Sequence, residues 1–211
     1  MRKISLRRAP AAGRSVVVPV VAAAVVALSA AAAVAGNSVW NGEPYPSADP
    51  DAVAQRLNDR SDEVYDGFGL PDTYAAAPGR VDTGACSYRG LRGFAHVDEA
   101  RSDVRSFGLD WSVPHVPEAT ARDAQERVRR QLVERGWKRT HDWGRRTGAS
   151  SLQLGFRFED PRGDQVDVQW NDATTTLFIS VYAPCGQVPD TFDEHRWPAA
   201  DWDPRESAPG L

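Results

Sequence analysis

Cys86 and Cys185 are the only cysteines in this chain of 211 residues, and the reaction open to such a pair is oxidation to one crosslink. Neither sits in a Cys-x-x-Cys spacing and no histidine is close to either in sequence, which argues against a zinc site or a redox couple. The four histidines, His96, His115, His141 and His195, are scattered, with no HExxH and no i,i+4 pair. His141 precedes Asp142, but neighbours on a strand point to opposite faces, so the two would not act as an acid/base couple. No GxSxG occurs, no phosphate-binding loop, and no GxGxxG followed by an acidic residue at dinucleotide spacing. No cofactor or metal is therefore expected. Arg162-Gly163-Asp164 matches an adhesion tripeptide, yet Pro161 and Gly163 stand where a tight hairpin needs them. Enzymatic hydrolysis would have to draw on carboxylates assembled by the fold, with Asp82, Asp110 and Asp142 as the candidates.

The compartment gives the cysteine pair its meaning. From Val16 to Ala35 run about twenty uncharged residues, mostly Val and Ala, enough to cross a bilayer as a helix. Five basic residues (Arg2, Lys3, Arg7, Arg8, Arg14) precede the run, and no Lys or Arg follows until Arg56. The positive-inside rule then keeps residues 1–15 in the cytoplasm and sends the rest outside. The same run also reads as a secretory signal, with Ala33-Val34-Ala35 as a small-x-small cleavage site before Gly36. Its apolar length favours retention as a single-pass anchor. Its poverty in Leu, Ile and Phe, worth only roughly −3 to −5 kcal/mol on the insertion scale, favours cleavage at Ala35/Gly36 and secretion. Both routes lead to an oxidising compartment, where Cys86 and Cys185 pair. Closing a loop of roughly 100 residues would stabilise the fold by about 3–5 kcal/mol in the chain-entropy model.

The formal charge is −4. Taking the five leading basic residues from 25 leaves 20 against 29 acidic, so the exported part carries about −9. Such a surface repels phosphate backbones, and no basic patch with interleaved aromatics appears, so nucleic acid is not a partner. The partners left are the membrane, through residues 16–35, and an envelope protein or wall component.

Residues 36–80 are rich in Pro, Gly, Asp and Ser and read as a linker interrupted by a short helix at about 50–65. Asp49 can cap that helix, Pro50 suits its first position, and Val53, Leu57 and Val64 share a face. The folded unit is expected over 81–186. Within it, Val104 to Val113 alternates, with Phe107, Leu109, Trp111 and Val113 on the apolar side. The main helix runs from Pro117 or Glu118 to Arg135, with Ala121, Ala124, Val128 and Leu132 inward and Gly136 as its left-handed stop. Beyond Gly136 the period is two: Trp137 to Trp143, Leu152 to Phe158, Val166 to Trp170 and Leu177 to Val181 form an antiparallel meander. The Asp160–Asp164 turn sets Phe156 opposite Val168 and Arg157 opposite Asp167, while the turn at 171–173 would set Val168 opposite Leu177 and Val166 opposite Ile179. Residues 187–211 form a Pro- and Asp-rich tail, either disordered or pinned by Phe192, Trp197 and Trp202.

The side of the meander opposite the apolar side chains gathers Arg157, Asp167, Gln169, Phe178 and Tyr182. Two aromatics, an ion pair and an amide on one face can bind a peptide, a glycan or a partner domain, or can be covered by the linker helix or the tail.

In its Leu-Gly-Phe-Arg-Phe-Glu-Asp-Pro (154–161), Val-Asp-Val-Gln-Trp (166–170) and Val-Tyr-Ala-Pro-Cys (181–185) stretches, the chain resembles a group of uncharacterised actinobacterial exported proteins. These pair an Ala/Val-rich N-terminal segment with one small two-cysteine α+β domain. The resemblance covers about half the chain and implies the compartment and the fold, but no functional residue. The expected fold is α+β: an antiparallel sheet of five or six strands with one main helix on one face and a disulfide near its ends. The expected function is a non-enzymatic extracytoplasmic domain of a single-pass membrane protein that binds a cell-envelope partner. The alternative is a secreted hydrolase using the carboxylates named above.

Overall fold

The structure is a computed structural model and describes residues 38–147, 151–197 and 201–203. The apolar run at 16–35 and the Ala35/Gly36 cleavage site lie outside these residues. Among the described residues no helix is long and apolar enough to cross a membrane. The chain divides into two compact units, a large one (45–87 and 98–211) and a small one (1–44 and 88–97).

The large unit is α+β. Six long strands and one short one form an open, wholly antiparallel sheet: β1 (Ala77–Ser87), β2 (Ala100–Val113), β3 (Lys138–Thr147), β4 (Ser151–Glu159), β5 (Gln165–Asn171), β6 (Thr176–Gln187) and the two-residue β7 (Asp201–Trp202). Their order is β3-β4-β5-β6-β2-β1-β7. Two helices, α1 (Pro50–Phe68) and α2 (Glu118–Glu134), bury their apolar stripes in the core that the sheet's inward side chains build.

The second helix corrects the expectation of one main helix beside a short surface helix. A stripe of Pro50, Val53, Ala54, Leu57, Ser61, Val64 and Phe68 recurs every three or four residues and is buried along the whole of α1. Leu57 and Phe68 are fully buried, and each such side chain contributes about 1.5–3 kcal/mol over leaving it in water. Asp49 caps α1 as its sequence suggests, accepting from the N–H of Asp51 and Ala52 at 3.1 and 3.4 Å. At the other end Arg127 of α2 donates Nε to the Phe68 carbonyl at 2.8 Å, satisfying one of the orphan acceptors that every helix end leaves. Gln125 of α2 is buried and donates to the Leu154 carbonyl at 3.2 Å, fixing α2 on β4.

The tail is pinned to the same side. The Trp202 ring is buried 4.5 Å from that of Trp111, and its Nε1 donates to Asp62 at 2.8 Å. Trp197 and Phe192 each pack edge-on against Phe107.

In the meander, Phe156 pairs with Val168 and Arg157 with Asp167, as the first turn requires. The second hairpin is shifted by two from the expected register: Val166 pairs with Val181, Val168 with Ile179 and Trp170 with Leu177. The physical reason is a longer loop. Asn171 pairs with Thr176, its side chain accepts the Ala173 N–H at 2.8 Å, and Thr175 takes a positive φ of 49°. A shift of two keeps the same side chains inward, so the core set is unchanged.

Cys86 and Cys185 are joined. They sit on β1 and β6, the two strands that flank β2. Strands two apart in a regular sheet are about 9.5 Å from each other, yet the two Cα atoms are 6.2 Å apart. The ladder is irregular on both sides of β2 at this point. The β1–β2 register slips between Ala85/Arg105 and Cys86/Arg101, and the β2–β6 register slips between Arg105/Gly186 and Phe107/Ala183.

The small unit, in its described residues, joins 38–44 to the tip of the β1–β2 connection. Leu91 donates its backbone N–H to Val39 at 3.1 Å, and Arg89 donates Nη1 to the Glu43 carbonyl at 3.3 Å. The two segments meet at Gly42 and Gly90, both at positive φ; a Cβ on Gly90 would fall 2.3 Å from the Gly42 nitrogen.

Candidate functional site

Every strand of the meander alternates, so the residues not used by the core line up on the opposite face in rows set by the register. One row reads Trp143, Gly155, Gln169, Phe178, Ser112. The next reads His141, Arg157, Asp167, Ser180, Asp110, Arg80. The third reads Glu159, Gln165, Tyr182, Gly108, Asp82. The expected set of Arg157, Asp167, Gln169, Phe178 and Tyr182 thus shares one face. Both helices pack on the other.

Arg157, Asp167 and Gln169 meet around an open depression of about 430 Å³, together with His141, Trp143 and Gln153. Arg157 sends two donors, Nε at 3.1 Å and Nη2 at 2.5 Å, to the single oxygen Oδ2 of Asp167. Gln153 and Gln169 line the same depression and add two side-chain amides to it. The rings of His141 and Trp143 lie 5.2 Å apart at the rim. Trp143 reaches in because its strand partner is glycine: a Cβ on Gly155 would fall 2.5 Å from Trp143 Cε2 and Cζ2, so only glycine lets the ring lie against the sheet. Phe178 and Tyr182 flank this depression on β6 and are exposed. Tyr182 leans over Gly108, its hydroxyl 3.4 Å from Asp110 Oδ1.

His141 and Trp143 are absent from the set expected from sequence, where Trp137 to Trp143 reads as one uninterrupted alternation. A β-bulge between Arg139 and His141 breaks it. Arg139 pairs with Phe158 on the core side and His141 with Arg157 on the outer side, so Trp137 is buried while Trp143 faces out.

The three candidate hydrolytic carboxylates do not meet. Asp82 and Asp110 are exposed on neighbouring outer-face strands. Asp142 points to the helix side, where it accepts from Arg129 and Arg139, each at 3.2 Å. Two other carboxylates are held below their ordinary range, and neither lines the depression. The hydrogen bond from Arg105, with its charge, lowers Glu194; the hydrogen bond from Arg101 lowers Asp103 against the opposing effect of burial. Among the described residues no group of three or more His, Cys, Asp or Glu side chains is placed to hold a metal ion.

The adhesion tripeptide is disposed of by burial. Asp164 is wholly inaccessible and accepts from Arg56 Nε at 2.7 Å, while Asp160 Oδ1 takes the N–H of Arg162 and Asp164 to close the turn. No family model, curated protein or solved structure matches the chain, so the outer face is read from its own geometry.

Proposed function

We propose that the chain is a non-enzymatic extracytoplasmic domain, tethered by residues 16–35, that binds a cell-envelope partner through the outer face of its sheet. The observation that carries this reading is the composition of that face. Rings at Trp143, His141, Phe178 and Tyr182 alternate with hydrogen-bonding groups at Gln153, Asp167 and Gln169. An open, shallow surface of this kind suits an extended ligand rich in hydroxyl and amide groups, which it would contact by ring faces and by side-chain amides together. A wall glycan has that chemistry. The basic N-terminus, the apolar run and the two cysteines support the compartment.

Co-sedimentation of the purified chain with insoluble cell wall tests the reading. The wild type should sediment and the double variant Trp143→Ala/Gln169→Ala should stay in the supernatant, with an unchanged melting curve. Equal sedimentation of the two would overturn the proposed face. Capture of one envelope protein by photo-crosslinkers at Phe178, without wall binding, would make the partner a protein.

A further inference from the structure

Exposed apolar side chains are not spread evenly over the described chain. Five of the eight large ones, Val39, Trp40, Leu91, Phe94 and Val97, belong to the small unit, all within its described segments 38–44 and 88–97. Phe94 is 81% exposed and Val97 70%. No described residue of this unit is buried. The apolar groups therefore build no core among the described residues of the unit; backbone hydrogen bonds and the Gly42–Gly90 contact hold these two segments together instead. A surface patch of this kind marks a contact with something apolar outside the domain.

We infer that the small unit seats in the interfacial layer of the membrane that residues 16–35 cross. This rests on the anchored reading proposed above. Val39 follows Ala35, the last residue of the apolar run, by four positions. Four residues span at most about 14 Å, and the headgroup layer on each side of the hydrocarbon is of order 5–8 Å deep. The patch is thus held by its own chain within reach of the lipid surface. Its composition fits that layer. Tryptophan is enriched at the membrane–water boundary, and Trp40 is more than half exposed. Arg92, exposed beside Leu91, can reach lipid phosphates while its apolar neighbours enter the acyl boundary. The Arg92 guanidinium carbon lies 4.9 Å from the centroid of the Tyr88 ring, which holds the charge next to the apolar patch.

The test uses the full chain reconstituted in phosphatidylcholine vesicles containing a minority of phosphatidylglycerol, with lipids brominated near the headgroup as quenchers. Flotation that resists alkaline carbonate reports the anchor. Quenching present in the wild type and lost in Trp40→Phe reports the seat, and Leu91→Ser/Phe94→Ser should abolish the same component, since both side chains are exposed and their loss leaves the fold intact. Carbonate-resistant flotation with identical quenching in wild type and Trp40→Phe would overturn the seat and leave the anchor standing. Trp40-dependent quenching on a chain that carbonate strips off would overturn the anchor and keep the seat as a peripheral contact. A chain that does not float at all would sink both.

Discussion

The two faces of the sheet are made by the same strands and the same alternation, yet they carry different physics. On one face Phe107, Leu109, Phe156, Phe158, Val166, Val168 and Ile179 are covered by α1, α2 and the tryptophans of the tail, and water is excluded. On the other, the side chains are amides, charges and rings. The rings of Trp143 and Tyr182 lie against glycines of the neighbouring strands rather than against a second layer. The difference teaches that alternation alone does not decide what a face is for. It supplies two surfaces, and the elements outside the sheet choose which becomes core.

Substitutions matched across the two faces should break or sharpen that contrast. The largest effect is expected on the covered face. Phe68→Ala or Trp202→Ala should each cost about 3–5 kcal/mol in denaturant unfolding, the range for deleting a buried aromatic, whereas Phe178→Ala should stay within about 0.5 kcal/mol. A Phe178→Ala cost as large as the core ones would mean that the outer face is covered after all. Removing the crosslink with Cys86→Ser/Cys185→Ser should cost about 3–5 kcal/mol in the chain-entropy model, because the closed loop is long. A loss well under 1 kcal/mol would show that the unfolded chain is little constrained by it.

Ion pairs give a smaller version of the same contrast. Asp164→Asn removes the charge from a carboxylate buried against Arg56 and should cost about 1.5–3 kcal/mol. Asp167→Asn on the outer face breaks the pair with a half-exposed Arg157 and should cost under about 1 kcal/mol. Equal costs would erase the distinction. The smallest effect concerns acid. Glu194 and Asp103 titrate below their ordinary values in the folded chain, so whatever they contribute is fully present above the unfolded-state carboxylate range of about pH 4 and is lost as pH falls through the folded values. Both are partly exposed, so solvent screens their pairs, and Arg105→Gln should flatten only slightly the acid limb of a stability-versus-pH curve.

Much of the helix-covered face was legible because local rules and burial agreed. Asp49, Pro50 and the 3.6-residue stripe marked α1, Gly136 with its φ of 80° ended α2, and the five-residue turn at Asp160–Asp164 fixed the Arg157–Asp167 pairing. What could not be read was whatever depended on a packing partner. That α1 is core rather than linker is decided by α2, whose Arg127 and Gln131 meet the carbonyls at its end. The candidate site was half legible for a similar reason. Arg157, Asp167 and Gln169 follow from one hairpin register, but His141 and Trp143 join them only through a bulge in β3 that no composition rule announces. The register slip at Thr175 was missed because a polar loop of two residues and one of four look alike when both keep the inward set in place.

The disulfide divides the chain into a portion that can be pulled out and a portion that cannot. Tension between the two ends of the chain passes from Cys86 to Cys185 through sulfur, so the covalent path bypasses residues 87–184, with β2 to β5 and most of β6. Roughly 330–360 Å of contour length is thereby withheld from extension. Among the described elements, α1, β1 as far as Cys86, the end of β6 and β7 lie outside the clasp. Force on the two ends would act first on α1, β1 and β7, while the strands that carry Trp143, Arg157, Asp167 and Gln169 stay inside the closed loop.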